Sequence, residues 1–391
     1  MPTWFQLHKT GQRFGQKPAV VRLASFSLIC CAIASVTACA PQDRAAKKIE
    51  EGRKQVEQFD SSLTFQSVTL EEFDSKGRLW WKVKAKQARY SKDNKVAAIQ
   101  SPDGELFQDG KAILKVKADR GEVKQDGKAI LLIGNITATD LRDGVVFKGN
   151  EVEWQPERDL LIVRNNLTGT HPQLMVKAKE ARMLTRARQI DLTGQVVATA
   201  TKDKTQIKSE KLTWLVPVQK VQASQPLQVV RVKDNFTDQA RSNKGLVDLK
   251  TRTATLQESA QIQLGESGLQ VLSNALLWNF DQQTIASNVG VTVLNPSQQL
   301  TLTALQGQMN MKTNMAELTK NVRGAGGKNQ AQIAADRLLW NLKTQKFDAF
   351  GNVAYRQSNP PLNLVGPQAS GTLQDQMVVV SGGRVETKVI P

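Results

Sequence analysis

Only two histidines occur in the 391 residues, His8 and His171, and that scarcity bounds the chemistry. A Ser-His-Asp or Cys-His site needs a histidine between nucleophile and orienting group, and a His-based metal site needs more than one close together. His8 lies near the N terminus, and His171 stands beside Pro172 in what reads as a solvated turn. The three cysteines, Cys30, Cys31 and Cys39, all fall in the first 39 residues, so the rest of the chain has neither disulfide nor thiol chemistry. No Gly-x-x-x-x-Gly-Lys-Ser/Thr run occurs, so nothing here cradles a nucleotide. Carboxylates remain. Asp103 with Glu105, and Glu151 with Glu153, are two apart, the spacing of same-face neighbours on a strand and the raw material of a glycosidase pair. The same spacing is common on solvated strand faces. The expectation is no catalytic residue, no metal and no cofactor: not an enzyme.

The more informative spacing is much longer. Trp154, Trp214, Trp278 and Trp340 fall on one position of a unit that recurs about every 31 residues. Taking Trp340 as position zero, the equivalent places are Tyr90, Val123, Trp154, Met183, Trp214, Val247, Trp278, Met309 and Thr372, which makes ten copies. Seven residues before each anchor stand Val83, Val116, Phe147, Val176, Ile207, Ala240, Val271, Leu302, Ile333 and Val365, all apolar. Seven after it stand Ala97, Ile130, Leu161, Ile190, Val221, Ala254, Ile285, Ala316, Phe347 and Val379, again all apolar. With 40% apolar residues overall, ten matches in ten at one offset is roughly a one-in-ten-thousand event.

Apolar positions two or four apart belong to one face of a strand, which disfavours helical repeats. Five before the anchor the residue is small in nine copies of ten, as at Ala85, Ala118 and Ala335; between minus five and zero the parity changes by an odd step, so each strand must bulge, or bend and hand its inward face to a second sheet. Turns such as Leu141-Arg142-Asp143-Gly144 suit hairpins and antiparallel pairing. The expected fold is all-β: an elongated two-sheet antiparallel β-jelly roll of about ten 31-residue repeats, with an apolar slot between facing sheets and one unpaired edge at each end. Candidates to line the slot are Trp81, Val83, Phe107, Val116, Phe147, Trp154, Val176, Ile207, Trp214, Trp278 and Trp340. The tryptophans read first as core packing, because a repeat needs large residues at such a layer in any case, and second as a wall for acyl chains, and the two can coexist. Gly383 to Ile390 reads as the last edge strand, with Val385, Thr387 and Val389 as partner contacts by strand addition.

Residues 1–39 read as a lipoprotein signal or membrane anchor. Lys9, Arg13, Lys17 and Arg22 precede an apolar run from Leu23 to Val36, with no acidic residue before Asp43. The run ends Val36-Thr37-Ala38-Cys39, which resembles a bacterial lipobox and marks Cys39 for lipidation; an uncleaved anchor is the alternative. Residues 40–60 read as a charged tether. The repeats divide most naturally into 61–235 and 236–391, because anchor spacing stretches between Asn235 and Asn243. The net charge of +17 would suit nucleic acid. An exported chain does not meet nucleic acid, and anionic lipid head groups fit instead.

The run Leu70-Glu71-Glu72-Phe73-Asp74-Ser75-Lys76-Gly77-Arg78-Leu79-Trp80-Trp81-Lys82-Val83-Lys84-Ala85-Lys86-Gln87-Ala88-Arg89-Tyr90, with repeats ending Gly134-Asn135-Ile136 and Gly351-Asn352-Val353, resembles the LptC family of lipopolysaccharide export. The Gly-Asn-Val repeats also resemble the related LptA/OstA-like periplasmic bridge proteins. The resemblance implies a periplasmic, inner-membrane-anchored scaffold. It would accept lipopolysaccharide or a similar glycolipid from the subunits of an inner-membrane ABC transporter and pass it to a bridge protein or outer-membrane translocon. Many family members carry an uncleaved transmembrane helix and are much shorter. Two other classes fit the residues: a packed structural or adhesive envelope protein without cargo, and a carbohydrate-binding or carbohydrate-degrading β-repeat. The second would show exposed aromatic platforms, yet the aromatics mostly fall on inward positions.

Overall fold

The computed structural model describes residues 59–391 apart from 94, 125–127, 234, 328–329, 373–376, 384 and 390–391; the side chains of 59–62, 377 and 387–389 are also outside the description. Cys39, the apolar run before it and the tether to residue 58 lie outside the described residues. Gln55–Pro391 form one compact unit. Its 28 strands, from Phe59–Phe73 to Glu386–Val389, are hydrogen-bonded into one antiparallel sheet.

The repeat positions are neighbours across that sheet. Trp154 stands opposite Leu161, Leu161 opposite Met183, Met183 opposite Ile190 and Ile190 opposite Trp214. Positions zero and plus seven therefore alternate strand by strand in one row, which reaches Trp340 and Phe347. At about 4.8 Å per strand the row follows the sheet for roughly 60 Å from Trp154 to Phe347. A second row starts at Val83 and runs through Gly104, Val116, Ala138, Phe147, Gly169 and Val176 to Ile333 and Tyr355. We call the two halves of the sheet the tryptophan layer and the valine layer.

A crease separates them. The long strands break register at one point each, as between Ile133 and Ile136, Thr193 and Val196, Thr319 and Val322, and Phe350 and Val353. At these bulges two consecutive residues take left-handed backbone: Gly134 and Asn135, Asn165 and Asn166, Gly194 and Gln195, Lys320 and Asn321, Gly351 and Asn352. Glycine and asparagine tolerate that region best, which is why Gly-Asn precedes the apolar residue. Asn135 and Asn352 then donate side-chain hydrogen bonds to Asp119 and Asp336, at 2.7 and 2.8 Å. The odd parity step is this bulge. The two layers are thus halves of one creased sheet and not two separate sheets.

The last repeat differs from its expected register. Phe347 faces Gly371, not Thr372, and Tyr355 faces Leu364, not Val365. Val365 and Val379 point outward, 50% and 62% exposed, while Leu364 and Val378 take the inward places. A slip of one residue exchanges the faces of a strand. Leu364-Val365 and Val378-Val379-Val380 offer an apolar side chain at either parity, so the pattern was blind to it. Across 235–243 the sheet continues, with Leu227–Val232 paired residue for residue against Thr237–Ser242.

Candidate lipid-binding interior

The two rows face each other. A methyl group built on Gly104 of the valine layer would lie 3.4 Å from the Trp154 ring of the tryptophan layer. The Arg231 guanidinium of the valine layer sits 4.8 Å from the Trp278 ring centroid. Between the layers lies a continuous core, and of the slot candidates Trp81, Val83, Val116, Phe147, Trp154, Val176, Ile207, Trp214, Trp278 and Trp340 all belong to it. Phe107 does not. It follows a bulge between Leu106 and Phe107 and is half-buried, while Leu106 fills the inward place at 1% exposure.

The interior is packed rather than hollow over most of its length, with the four repeat tryptophans at 0–1% exposure. Toward the C terminus an apolar cleft of about 80 Å³ opens between Leu300, Leu302 and Ile333 on one side and Trp340, Phe347 and Val378 on the other. The indole N–H groups of Trp154, Trp278 and Trp340 are buried without an acceptor among the described residues. Each such group costs about 1–3 kcal/mol.

Opposite the crease, among the described residues, hydrogen bonds and ion pairs between the layers are made by hairpin side chains, and these form a seam. Arg142 of the valine layer donates to the Thr185 carbonyl at 2.6 Å, and the neighbouring Asp143 pairs with Arg188. Gln173 donates to Gln219 at 3.1 Å. Arg252 reaches Asp203 at 2.5 Å and Asp281 at 2.6 Å, with Lys202 3.9 Å from Asp281. These three valine-layer hairpins each meet a tryptophan-layer hairpin 43 to 49 residues further along, about one and a half repeats, and Lys202 also reaches the hairpin after that. Arg142 and Asp143 read from sequence only as turn residues, and no sequence expectation joined the two sides; charged and amide groups recurring in hairpins at that offset are the signal that marks them.

The remaining candidates fall into place around this body. Glu386–Val389 pairs only with Pro361–Thr372 among the described residues, with Thr387 opposite Leu364 and Val389 opposite Leu362; Val385, just before it, is exposed. At the other end Phe59–Phe73 pairs, among the described residues, only with Leu79–Ser91. Among the described residues both ends of the sheet are therefore open edges. The carboxylate pairs are each tied to cations: Lys115 lies 3.4 Å from Asp103 and 3.8 Å from Glu105. Arg164 lies 3.2 Å from Glu151, 3.1 Å from Glu153 and 2.8 Å from Glu180. His171 is not a solvated turn residue. It ends the strand Leu160–His171, half-buried, with its ring edge-on to Trp214 at 5.3 Å.

Two acid responses follow. Burial holds the His171 imidazole below its ordinary range, so the neutral form is favoured and folding is opposed as pH falls below about 6.5. Substituting phenylalanine at His171 is expected to remove that first loss of thermal stability. Burial raises the Asp203 carboxyl, but the Thr205 amide and Arg252 outweigh it and hold it below the usual carboxylate range; hydrogen bonding to Arg252 does the same for Asp281. Their contribution is intact above the unfolded carboxylate range and lost only as pH falls through the lower folded values. Amide exchange in the 201–205 and 249–252 hairpins should accelerate there and not earlier.

Fold and interior define a class: a creased β-repeat jelly roll with an apolar interior, open edges and no catalytic constellation among its described residues. The family model for lipopolysaccharide assembly, LptC-related, matches residues 27–161 and again 158–265. The chain belongs to the LptC family. The family's general role is that of a non-enzymatic bridge in lipopolysaccharide transport, periplasmic and anchored at the inner membrane. No curated protein matches the sequence. Residues 266–391 lie beyond the matched segments, yet they continue the same sheet and the same rows.

Proposed function

We propose that this chain is a membrane-tethered scaffold that accepts lipopolysaccharide or a similar glycolipid from an inner-membrane ABC transporter and passes it along its interior toward the outer membrane. The observation that carries the proposal is the pair of unbroken apolar rows, facing each other from near one open edge to the other. Acyl chains would enter by parting the layers at the seam, because the crease is hydrogen-bonded and the seam is held by side chains alone. Part-exposed ion pairs contribute about 0–1 kcal/mol each, so the seam is the weaker join. Ester and amide oxygens of a lipid would supply the acceptors that Trp154, Trp278 and Trp340 lack. In this reading residues 1–39 carry the signal or anchor with Cys39 acylated, 40–60 form the tether, and 61–235 and 236–391 form two successive stretches of conduit. Val385, Thr387 and Val389 would add a strand to an LptA/OstA-like bridge protein or an outer-membrane translocon.

The tight packing of the tryptophan row favours a second reading, a structural envelope protein with no cargo. Native mass spectrometry with lipid extraction, on the chain purified from a host that makes lipopolysaccharide, separates the two. A co-purifying glycolipid that is lost in Val116→Glu and Phe147→Glu variants is expected. A protein that is empty and takes up no added glycolipid would put the structural reading first.

A further inference from the structure

The outer face of the valine layer carries a row of cations that the chain order conceals. Lys84, Lys117, Lys148, Lys177, Lys208 and Arg241 are joined through alternate cross-strand partners: Asp103, Thr137, Thr168, Val197 and Gln228. Every second strand thus presents one exposed positive charge, roughly 10 Å from the next. Lys117 lies 3.5 Å from Asp103; the other five have no ion-pair partner among the described residues. Past Asp103 the row holds no carboxylate through Gln261. The outer face of the tryptophan layer differs in mixing signs, with Glu122, Glu153 and Asp191 sharing one row with Arg89 and Arg182, and Glu151 and Glu180 flanking Arg164 in another. Further along, the basic row thins to Leu272, Thr303 and Ala334, with Arg323 as a lone cation between the last two.

We propose that this row docks the N-terminal half of the β-body onto an anionic lipid bilayer surface, leaving the C-terminal half to project. The chemistry favours a bilayer over a glycan or a structured phosphate site. Five of the six cations are lysines, flexible point charges suited to a diffuse anionic surface rather than bidentate recognition. No aromatic side chain stands in the row to stack on sugars. The row follows the crease side of the layer, away from the seam where a cargo head group would emerge, so the inference does not depend on the cargo reading. Adjacent strands rotate by roughly 20°, so a flat bilayer engages about two or three successive cations at once, each adding about fivefold to binding.

The test is amine labelling of the full chain reconstituted in vesicles of phosphatidylcholine alone or with phosphatidylglycerol, read residue by residue by mass spectrometry. On phosphatidylglycerol vesicles Lys117, Lys148 and Lys177 should label about fivefold more slowly, with Lys312 and Lys343 unchanged and the protection lost in high salt. A Lys148→Gln/Lys177→Gln/Lys208→Gln variant, altered only at exposed positions, should lose the protection of Lys117. Equal rates on both vesicles overturn the proposal. So does protection that arises only with soluble polyphosphate, which would reassign the row to a linear polyanion.

Discussion

Replacing Asp238 by alanine is expected to cost about 3–5 kcal/mol of stability, the largest effect of any single polar substitution in the body. Asp238 and Arg231 are 2% and 4% exposed and are joined by contacts of 2.6 and 3.1 Å. The aspartate also accepts the Gly265 amide at 3.0 Å. On its other side the guanidinium lies over Trp278 and near Phe280, with the Met311 sulfur at 3.9 Å. Removing the carboxylate strands a cation inside an apolar layer interface. Removing both charges in an Arg231→Met/Asp238→Leu double variant should recover most of the loss, leaving about 1 kcal/mol for the unpaired Gly265 amide. Urea denaturation of the two variants decides. A single substitution costing under about 1 kcal/mol, or a double variant no better than the single, would show that this ion pair is solvated rather than structural.

Locking the seam should abolish glycolipid uptake. Gln173 and Gln219 touch across it, and all native cysteines precede residue 40, so a Gln173→Cys/Gln219→Cys pair would be the only thiols in the body. Joined by a bifunctional thiol reagent with an internal disulfide, which spans the length of the two replaced glutamines, the pair locks the seam; in this oxidised form uptake is expected to fall more than about tenfold, and reduction should restore it, because acyl chains have to separate packed rows that contribute about 25 cal/mol for each Å² buried. Arg252→Gln, which loosens the Asp203 and Asp281 contacts, should act in the opposite sense and speed both uptake and release. Unchanged uptake by the oxidised form would direct the entry route to the ends of the sheet instead.

The sequence by itself determined the repeat, its strands and most of the faces they bury, and required a bulge or a bend in each unit. Side-chain direction along a strand has period two, so apolar residues at minus seven, zero and plus seven specify an inward row without knowledge of partners. Gly134-Asn135 and Gly351-Asn352 have the composition of hairpin turns, and it is the hydrogen-bond register that makes them bulges, at positions where two successive residues take left-handed backbone. Where the pattern allowed two parities, at Leu364-Val365 and Val378-Val379, hydrogen-bond register decided, and Phe107 lost its place to Leu106 at a bulge that local composition does not announce. Only the tertiary structure decided whether the slot is filled, which hairpins meet at the seam, and that Lys84, Lys117, Lys148, Lys177, Lys208 and Arg241 stand in one line. Those contacts join residues about one or one and a half repeats apart, and the stagger that selects them comes from the crease and twist of the whole sheet, to which no short stretch of chain is sensitive.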